Sequence, residues 1–297
     1  MERILITGGA GFLGSHLIDA LYDTYCGLSI RVVDNLSLYG KIPDYWSGRA
    51  ELLIGDVRNK SVMEIALKDI DYVYHLAAYQ GYSEDFDKFI DINVKSTALI
   101  YAIIEKKHLP IKKVILASSQ AVYGNCHNAV EVDSTHPCGA YGVSKFLMEQ
   151  TADLFAVNTI IFRFGIMQGA RQSHGILVNF LNQDIFQIFG DGFQERDYIH
   201  VQDAVKACLM IKELPCGVYN VSGRRAYTVK DYISMLYDFG IRKSIINTEP
   251  RQHEARDATS NCEKLRSCGW EANVSIEQAI ADYIAYRRSY PNLKAIS

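Results

Sequence analysis

The sequence predicts an α/β protein, a doubly wound parallel sheet carrying a smaller C-terminal lobe. Two observations carry this. Short β-branched runs alternate with helical patterns through the first half of the chain, which is the rhythm of a parallel sheet wrapped by helices. The first run, Arg3–Thr7, leads directly into Gly8-Gly9-Ala10-Gly11-Phe12-Leu13-Gly14 and then into a helical stripe. A strand, a glycine loop and a helix in that order place backbone N–H groups and a helix N-terminus where a dinucleotide pyrophosphate binds.

The elements follow in order. Arg3–Thr7, Ser29–Val33, Leu52–Ile54, Tyr72–Leu76, Val114–Ser118 and Thr159–Arg163 read as strands, each a short apolar or β-branched run. Leu13, Leu17 and Leu21 mark one helix, and Phe89, Ile92, Ile100, Ile103 and Ile104 mark a longer one; both stripes read as core packing. Val218–Val221 reads as a strand that returns to the same sheet. The expected division is therefore a Rossmann-type NAD-binding domain over 1–164 plus about 203–221. A substrate-binding lobe over about 165–202 plus 222–297 would stand at the strand ends, where open α/β sheets bind ligands.

Composition narrows the class. The 297 residues are 48% hydrophobic with a net charge of -3, enough apolar material for a well-buried core and no footprint for nucleic acid. No apolar stretch approaches the roughly 18 residues of a membrane span. Glu2 and Arg3 run straight into the first strand, leaving no room for a signal peptide. The seven cysteines are an odd number without a Cys-x-x-Cys pair, so neither a disulfide framework nor a metal site is expected, and a reducing cytoplasm fits.

The cofactor reading extends beyond the glycines. Asp34 ends the second strand twenty residues after Gly14, where a carboxylate accepts from ribose hydroxyls and repels a 2′-phosphate; NAD is expected over NADP. Asp56, in Gly55-Asp56-Val57-Arg58, follows the third strand and is placed to accept from an adenine amino group. His75-Leu76-Ala77-Ala78 ends the fourth strand with small residues where a nicotinamide ribose passes; His75 itself reads as structural.

Tyr141 and Lys145 lie at i and i+4 of Tyr141-Gly142-Val143-Ser144-Lys145, on one helix face. An ammonium beside the phenol favours its ionised form, and a phenol with a usual pKa of about 10 then becomes a base near neutrality.

Taken with Asn93-Val94, Ser118-Ser119-Gln120-Ala121-Val122-Tyr123-Gly124, Arg196-Asp197-Tyr198-Ile199-His200-Val201 and Cys268-Gly269-Trp270, these motifs make the chain resemble the extended short-chain dehydrogenase/reductases, in particular the NAD-dependent sugar-nucleotide epimerases and dehydratases. The likeness runs nearly end to end. It implies that Ser119 holds the reacting sugar oxygen, that Tyr141 is the acid/base, and that Lys145 lowers the Tyr141 pKa and holds the nicotinamide ribose. It implies an NAD site of Gly8, Gly11, Phe12, Leu13 and Gly14 with Asp34, Asn35, Asp56 and Val57. Leu76, Ala77, Ala78, Asn93 and Ser118 complete that site beside Tyr141 and Lys145. Substrate contacts fall to Ser119, Gln120, Arg196 and Arg251, the two arginines on a diphosphate. The implied partners are a nucleotide-sugar and a second copy of the chain, pairing through the helices of Phe89–Ile104 and Tyr141–Phe155.

Departures from the resemblance narrow the reaction. Dehydratases carry an Asp-Glu pair after the active-site Ser/Thr, and this chain has Gln120 and Ala121. The Glu of the decarboxylases and the Cys of the 3,5-epimerases are missing too. What remains is reversible oxidation at one carbon: a 4-epimerase first, with a 2-epimerase, a 4-ketosugar reductase or dehydrogenase, or a non-enzymatic NAD-binding sensor or scaffold as alternatives. Ile166 replaces an asparagine that contacts substrate phosphate in relatives, and the span from His75 to Asn93 is about three residues short, so an altered sugar is expected.

Overall fold

Every second residue of a strand points to the same face, and the first strand divides its apolar residues accordingly: Ile4 and Ile6 enter one core, Leu5 the other. A strand buried on both faces belongs at the centre of a sheet covered by helices on both sides. The computed structural model describes residues 1–81 and 85–290. The expected loop shortening after Ala78 falls partly on residues 82–84, and the end of the expected lobe on 291–297, both outside the described residues.

In chain order, β1 (Arg3–Thr7) and α1 (Phe12–Thr24) are followed by β2 (Ser29–Asp34), β3 (Glu51–Ile54), α2 (Lys60–Ala66) and β4 (Tyr72–His75). Then α3 (Phe86–Phe89), a π-turn (Ile90–Val94) and α4 (Lys95–Lys106) run on as one helical stretch into β5 (Lys113–Ser119). A 3₁₀ turn (Gln120–Val122) leads to β6 (Cys126–Ala129), α5 (Ala140–Ala152), β7 (Thr159–Phe164), β8 (Ile166–Gln168) and α6 (Ile176–Asn182). After β9 (Ile185–Phe189), β10 (Glu195–His200), α7 (Val201–Leu209) and β11 (Gly217–Val221) come β12 (Ala226–Thr228), α8 (Val229–Asp238), β13 (Ser244–Thr248), β14 (Ala258–Ser260), α9 (Glu263–Ser267) and α10 (Ile276–Ser289).

The main sheet has seven parallel strands in the order β11-β7-β5-β4-β1-β2-β3. The reversal of order between β1 and β4 opens a crevice at the carboxyl ends of the strands, the position at which such sheets bind ligands. On one face α1 and α7 pack with Leu17 and Leu21 fully buried; on the other, α2, α4 and α5 cover Leu5, Val73 and Leu116. Each such side chain contributes about 2 kcal/mol by leaving water. A second sheet, β12-β10-β14-β6 with β8 on β10, and a two-stranded pair β13-β9 build the lobe around Phe186, Tyr198 and Tyr232.

The chain is more interleaved than the expected boundaries. β6, within the first 164 residues, pairs with β14 in the lobe sheet, and Cys262, Leu265 and Trp270 from the tail sit in the core under α1 and α7. The long helix expected through Phe89–Ile104 contains the π-turn, whose Asn93 is fully buried. No helix among the described residues is long and apolar enough to cross a membrane.

A close backbone approach lies between α1 and the loop before it. A Cβ on Gly14 would stand 2.5 Å from the Gly8 carbonyl oxygen and 2.6 Å from Gly9 Cα. Gly14→Ala should therefore lower stability by about 1–3 kcal/mol through overpacking, read as a fall in the urea midpoint at unchanged m; an unchanged midpoint would contradict this packing.

Candidate active site

The glycine loop is shaped by contacts that only glycine permits. Gly8 has φ +69, and a Cβ there would meet Ala77 Cα at 2.8 Å, so the end of β4 lies directly against the loop. Gly11 starts α1 without a side-chain cap, so the first-turn N–H groups of Phe12, Leu13 and Gly14 face outward at the positive end of the helix. At the end of β2, Asp34 accepts from Ala10 N at 3.0 Å and Leu36 N at 2.8 Å, and burial raises its pKa from the ordinary carboxylate value. The loop, the uncapped helix and this carboxylate fit a dinucleotide.

Several residues of the expected NAD site are spent on the protein itself. Asn93 accepts from Tyr79 N at 2.6 Å and donates to Ser144 Oγ at 2.9 Å; buried in its π-turn, it pins the loop after β4 to α5. The Ser118 hydroxyl donates to Glu149. Asp56 receives Arg58 through Nε at 2.9 Å and Nη2 at 2.7 Å, and this guanidinium holds its carboxyl down at about 2. Asn35 reaches Asp56 only at 3.5 Å, and Val57 is core. His75 is structural in its surroundings: Nδ1 meets Thr7 Oγ1 at 2.8 Å, Nε2 meets Thr97 Oγ1 at 3.1 Å, and burial pushes its pKa down to about 3.

Ser119, Tyr141 and Lys145 come together where β5 ends and α5 begins. The Ser119 Oγ accepts from Ala121 N at 3.2 Å, capping the 3₁₀ turn, and lies close enough to the Tyr141 hydroxyl to favour its ionised form. Lys145 is 2% exposed; its Nζ donates to the Ala117 carbonyl at 2.7 Å and stands 5.7 Å from the centre of the Tyr141 ring. Burial holds Tyr141 up at about 12, with Ser119 and Gln80 drawing it down. Burial also pushes Lys145 down to about 7, with Glu149 opposing that shift.

Glu149 and Arg163 are the residues sequence reading missed. Glu149 lies one turn beyond Lys145 on α5, 3% exposed, and takes Arg163 on β7 through Nε at 3.0 Å and Nη2 at 2.6 Å. One carboxylate thus serves two cations and the Ser118 hydroxyl. The available signal was the i, i+4, i+8 register of Tyr141, Lys145 and Glu149, which puts a second charge on the sheet-facing side of the helix.

The expected substrate residues divide. Gln120 is 4% exposed and donates to the Ala258 carbonyl at 3.1 Å while Ser260 Oγ donates back to it at 3.4 Å, tying the 3₁₀ turn after β5 to β14. Arg196 and Arg251 do converge. Arg196 Nη2 lies 3.1 Å from Glu254 Oε1, with further bonds to the Ala255 and Arg256 carbonyls, and Arg251 Nη1 lies 3.9 Å from Glu254 Oε2 while its guanidinium stacks on Phe189 at 3.9 Å. Ile166, at the expected asparagine position, opens β8 opposite Tyr198.

Comparison with known proteins places this geometry among relatives. The NAD dependent epimerase/dehydratase family matches residues 4–222. A Methanocaldococcus jannaschii protein named as a candidate UDP-glucose 4-epimerase is 30% identical over 96% of this chain and 98% of its own. Among solved structures, a Thermus thermophilus UDP-glucose 4-epimerase in complex with NAD superposes at a TM-score of 0.88 with 25% identity, covering 96% of this chain and 99% of that one. A Bacillus cereus UDP-glucuronic acid 4-epimerase with UDP-glucuronic acid and NAD gives 0.87 with 28% identity, over 97% and 99%.

Breaking a buried ion pair by removing one partner leaves an uncompensated charge and costs about 3–5 kcal/mol. Glu149→Gln should lower the urea midpoint by an amount of that order because Arg163 loses its anion; a loss within about 0.5 kcal/mol would show that the network is not a structural tie.

Proposed function

The chain belongs to the NAD dependent epimerase/dehydratase family, and on that footing we propose that it is an NAD-dependent epimerase of a UDP-sugar, inverting C4 through a transient 4-keto sugar. The observation that carries this reading is the meeting of Ser119, at the carboxyl end of β5, with Tyr141, in the first turn of α5, with Gln120 buried and Ala121 beside Ser119. The pair can move one proton at one sugar carbon, and no Asp-Glu pair follows to expel water.

NAD, when bound, supplies the acceptor and donor of the hydride. The chain's own residues supply the rest. The Tyr141 oxygen removes the C4 hydroxyl proton as hydride leaves C4, and returns it to the same oxygen once the keto-sugar has turned and taken hydride on its other face, while Ser119 holds that sugar oxygen in reach. Lys145, fixed by the Ala117 carbonyl, would hold the nicotinamide ribose. The uncapped α1 terminus receives the pyrophosphate and Asp34 the adenosine ribose. Arg196 and Arg251 receive the substrate diphosphate in exchange for the Glu254 carboxylate that they share in this structure.

A homodimer accompanies this reading. α4 and α5 pack side by side on one face of the sheet, where Ile92, Leu99, Val143 and Leu147 stay partly exposed and Leu154 is 80% exposed. Light scattering at micromolar concentration should give about twice the 33.5 kDa chain mass; a monomer would refute the pairing.

The function is tested by incubating the protein with UDP-glucose, UDP-glucuronic acid and UDP-N-acetylglucosamine and following C4 stereochemistry by NMR. An epimer at unchanged mass without accumulated NADH is the expected product, and a dehydrated, decarboxylated or oxidised product would replace this reading. Tyr141→Phe should lower kcat about 10²–10⁴-fold with little change in KM; near-normal turnover would remove Tyr141 from the chemistry.

A further inference from the structure

The Tyr141 hydroxyl has a hydrogen-bond partner that neither the sequence motifs nor the family reading assigns. Gln80, on the exposed loop after β4, reaches it with Nε2 at 3.4 Å. The other end of the same amide, Oε1, lies 2.8 Å from His174 Nε2, and His174 Nδ1 lies 3.0 Å from Ser173 Oγ. His174 and Ser173 lie on the loop between β8 and α6, so this contact links that loop to the loop after β4.

The directions of these bonds are fixed by chemistry. A carboxamide oxygen can only accept, so His174 Nε2 must carry a hydrogen and donate to it. A neutral imidazole then has Nδ1 as an acceptor, and the Ser173 hydroxyl donates there. Burial lowers the His174 pKa, which favours that neutral form. The series runs Ser173 to His174 to Gln80 to Tyr141, each member donating toward the phenol oxygen. Donors in series polarise one another, and a donor to an oxygen that ionises favours the ionised form. Among the described residues, the titratable groups around the phenol are Lys145 on its own helix, Tyr79 on the Gln80 loop, His75 from β4 on the far side of Lys145, and His174 on the loop between β8 and α6. Phe89, from α3, is apolar and packs edge-on to the Tyr141 ring at 6.4 Å.

We propose that Gln80 is a donor to the reacting oxygen of Tyr141 and that His174 is a positioning residue that orients the Gln80 amide, so that the lobe helps set the ionisation of the acid/base. This rests on the reading of Tyr141 as acid/base. The contact joins the loop after β4 to the loop between β8 and α6. Removing the donor raises the phenol pKa, and because the base must be deprotonated to accept a proton, the rising limb of kcat against pH moves upward with it.

The test reads the phenol directly, so it needs no turnover. NAD-loaded protein labelled with 3-fluorotyrosine, whose phenol ionises at lower pH, is titrated by fluorine NMR, with Tyr141→Phe identifying the resonance. Gln80→Leu should raise the Tyr141 pKa by about one unit, the scale of one hydrogen bond to a charged group. His174→Phe should raise it by a smaller amount, and His174→Asn, which can still donate to the Gln80 oxygen, should restore part of the shift. Gln80 is exposed, so these variants should keep the wild-type urea midpoint. An unchanged or lowered pKa in Gln80→Leu overturns the proposal, and a shift in Gln80→Leu with none in His174→Phe overturns the role of His174. Absence of epimerised product with the titration shifts intact would instead count against the proposed reaction alone.

Discussion

The site depends on one buried carboxylate. Glu149 joins α5 to β7 through Arg163 and to β5 through the Ser118 hydroxyl, and it supplies the nearest opposing charge to Lys145. Those three elements carry every residue proposed to handle the proton: Ser119 follows Ser118 on β5, and Tyr141 and Lys145 precede Glu149 on α5. A carboxylate 3% exposed would be costly alone. Paired in this way it becomes a fixed point, because moving α5 by even a fraction of a turn would strand two cations away from water. The geometry of Ser119 and Tyr141 is thus held from behind, by charge, while their oxygens stay open to the crevice.

The sheet was readable from sequence because its strands are buried on both faces, and burial on both faces writes continuous apolar runs. Ile4-Leu5-Ile6 and Val114-Ile115-Leu116 are such runs, and each appears as a strand within a residue or two of its expected ends. The lobe strands left no such mark. β6, β8, β12 and β14 are three or four residues long and exist through pairing with distant segments, as Ala258 does with both Cys126 and Arg196. Local pattern cannot encode a partner more than a hundred residues away. The π-turn at Asn93 was hidden for a related reason: its stripe is helical on either side, and only the bonds to Tyr79 and Ser144 show where the helix was widened.

Residue roles were legible where backbone dictates them and obscured where side chains compete. The glycines are set by φ and by clearance, so Gly8 and Gly14 could be placed from their spacing alone. Ser118, Gln120 and Asn93 have polar groups that could serve either a ligand or the protein, and here Glu149, the β14 backbone and the Gln80-bearing loop take them. Lys145 shows the same ambiguity in its charge. Helix spacing correctly puts it beside Tyr141, yet spacing carries no information on burial, and burial pushes its pKa down and leaves its Nζ bonded to the Ala117 carbonyl.

Interleaving also constrains how the site can respond to a ligand. β6 belongs to the lobe sheet, Trp270 from the tail lies in the main core with its Nε1 donating to Asp203 at 3.0 Å, and Gln120 bonds the 3₁₀ turn after β5 to β14. Asp197 adds to this seam: burial pushes its carboxyl up to about 6, yet it accepts from Ser260 N at 2.6 Å and Oγ at 3.0 Å, joining β10 to β14. Rotating the lobe as a rigid body would break these bonds together, which makes a large hinge closure expensive. Motion is cheaper in the segments that border the crevice without entering either core: the Gln80 loop, the 173–174 turn and the 251–256 loop with Glu254 between its two arginines. Adjustment to a ligand therefore falls to these loops, over a scaffold whose sheets stay fixed.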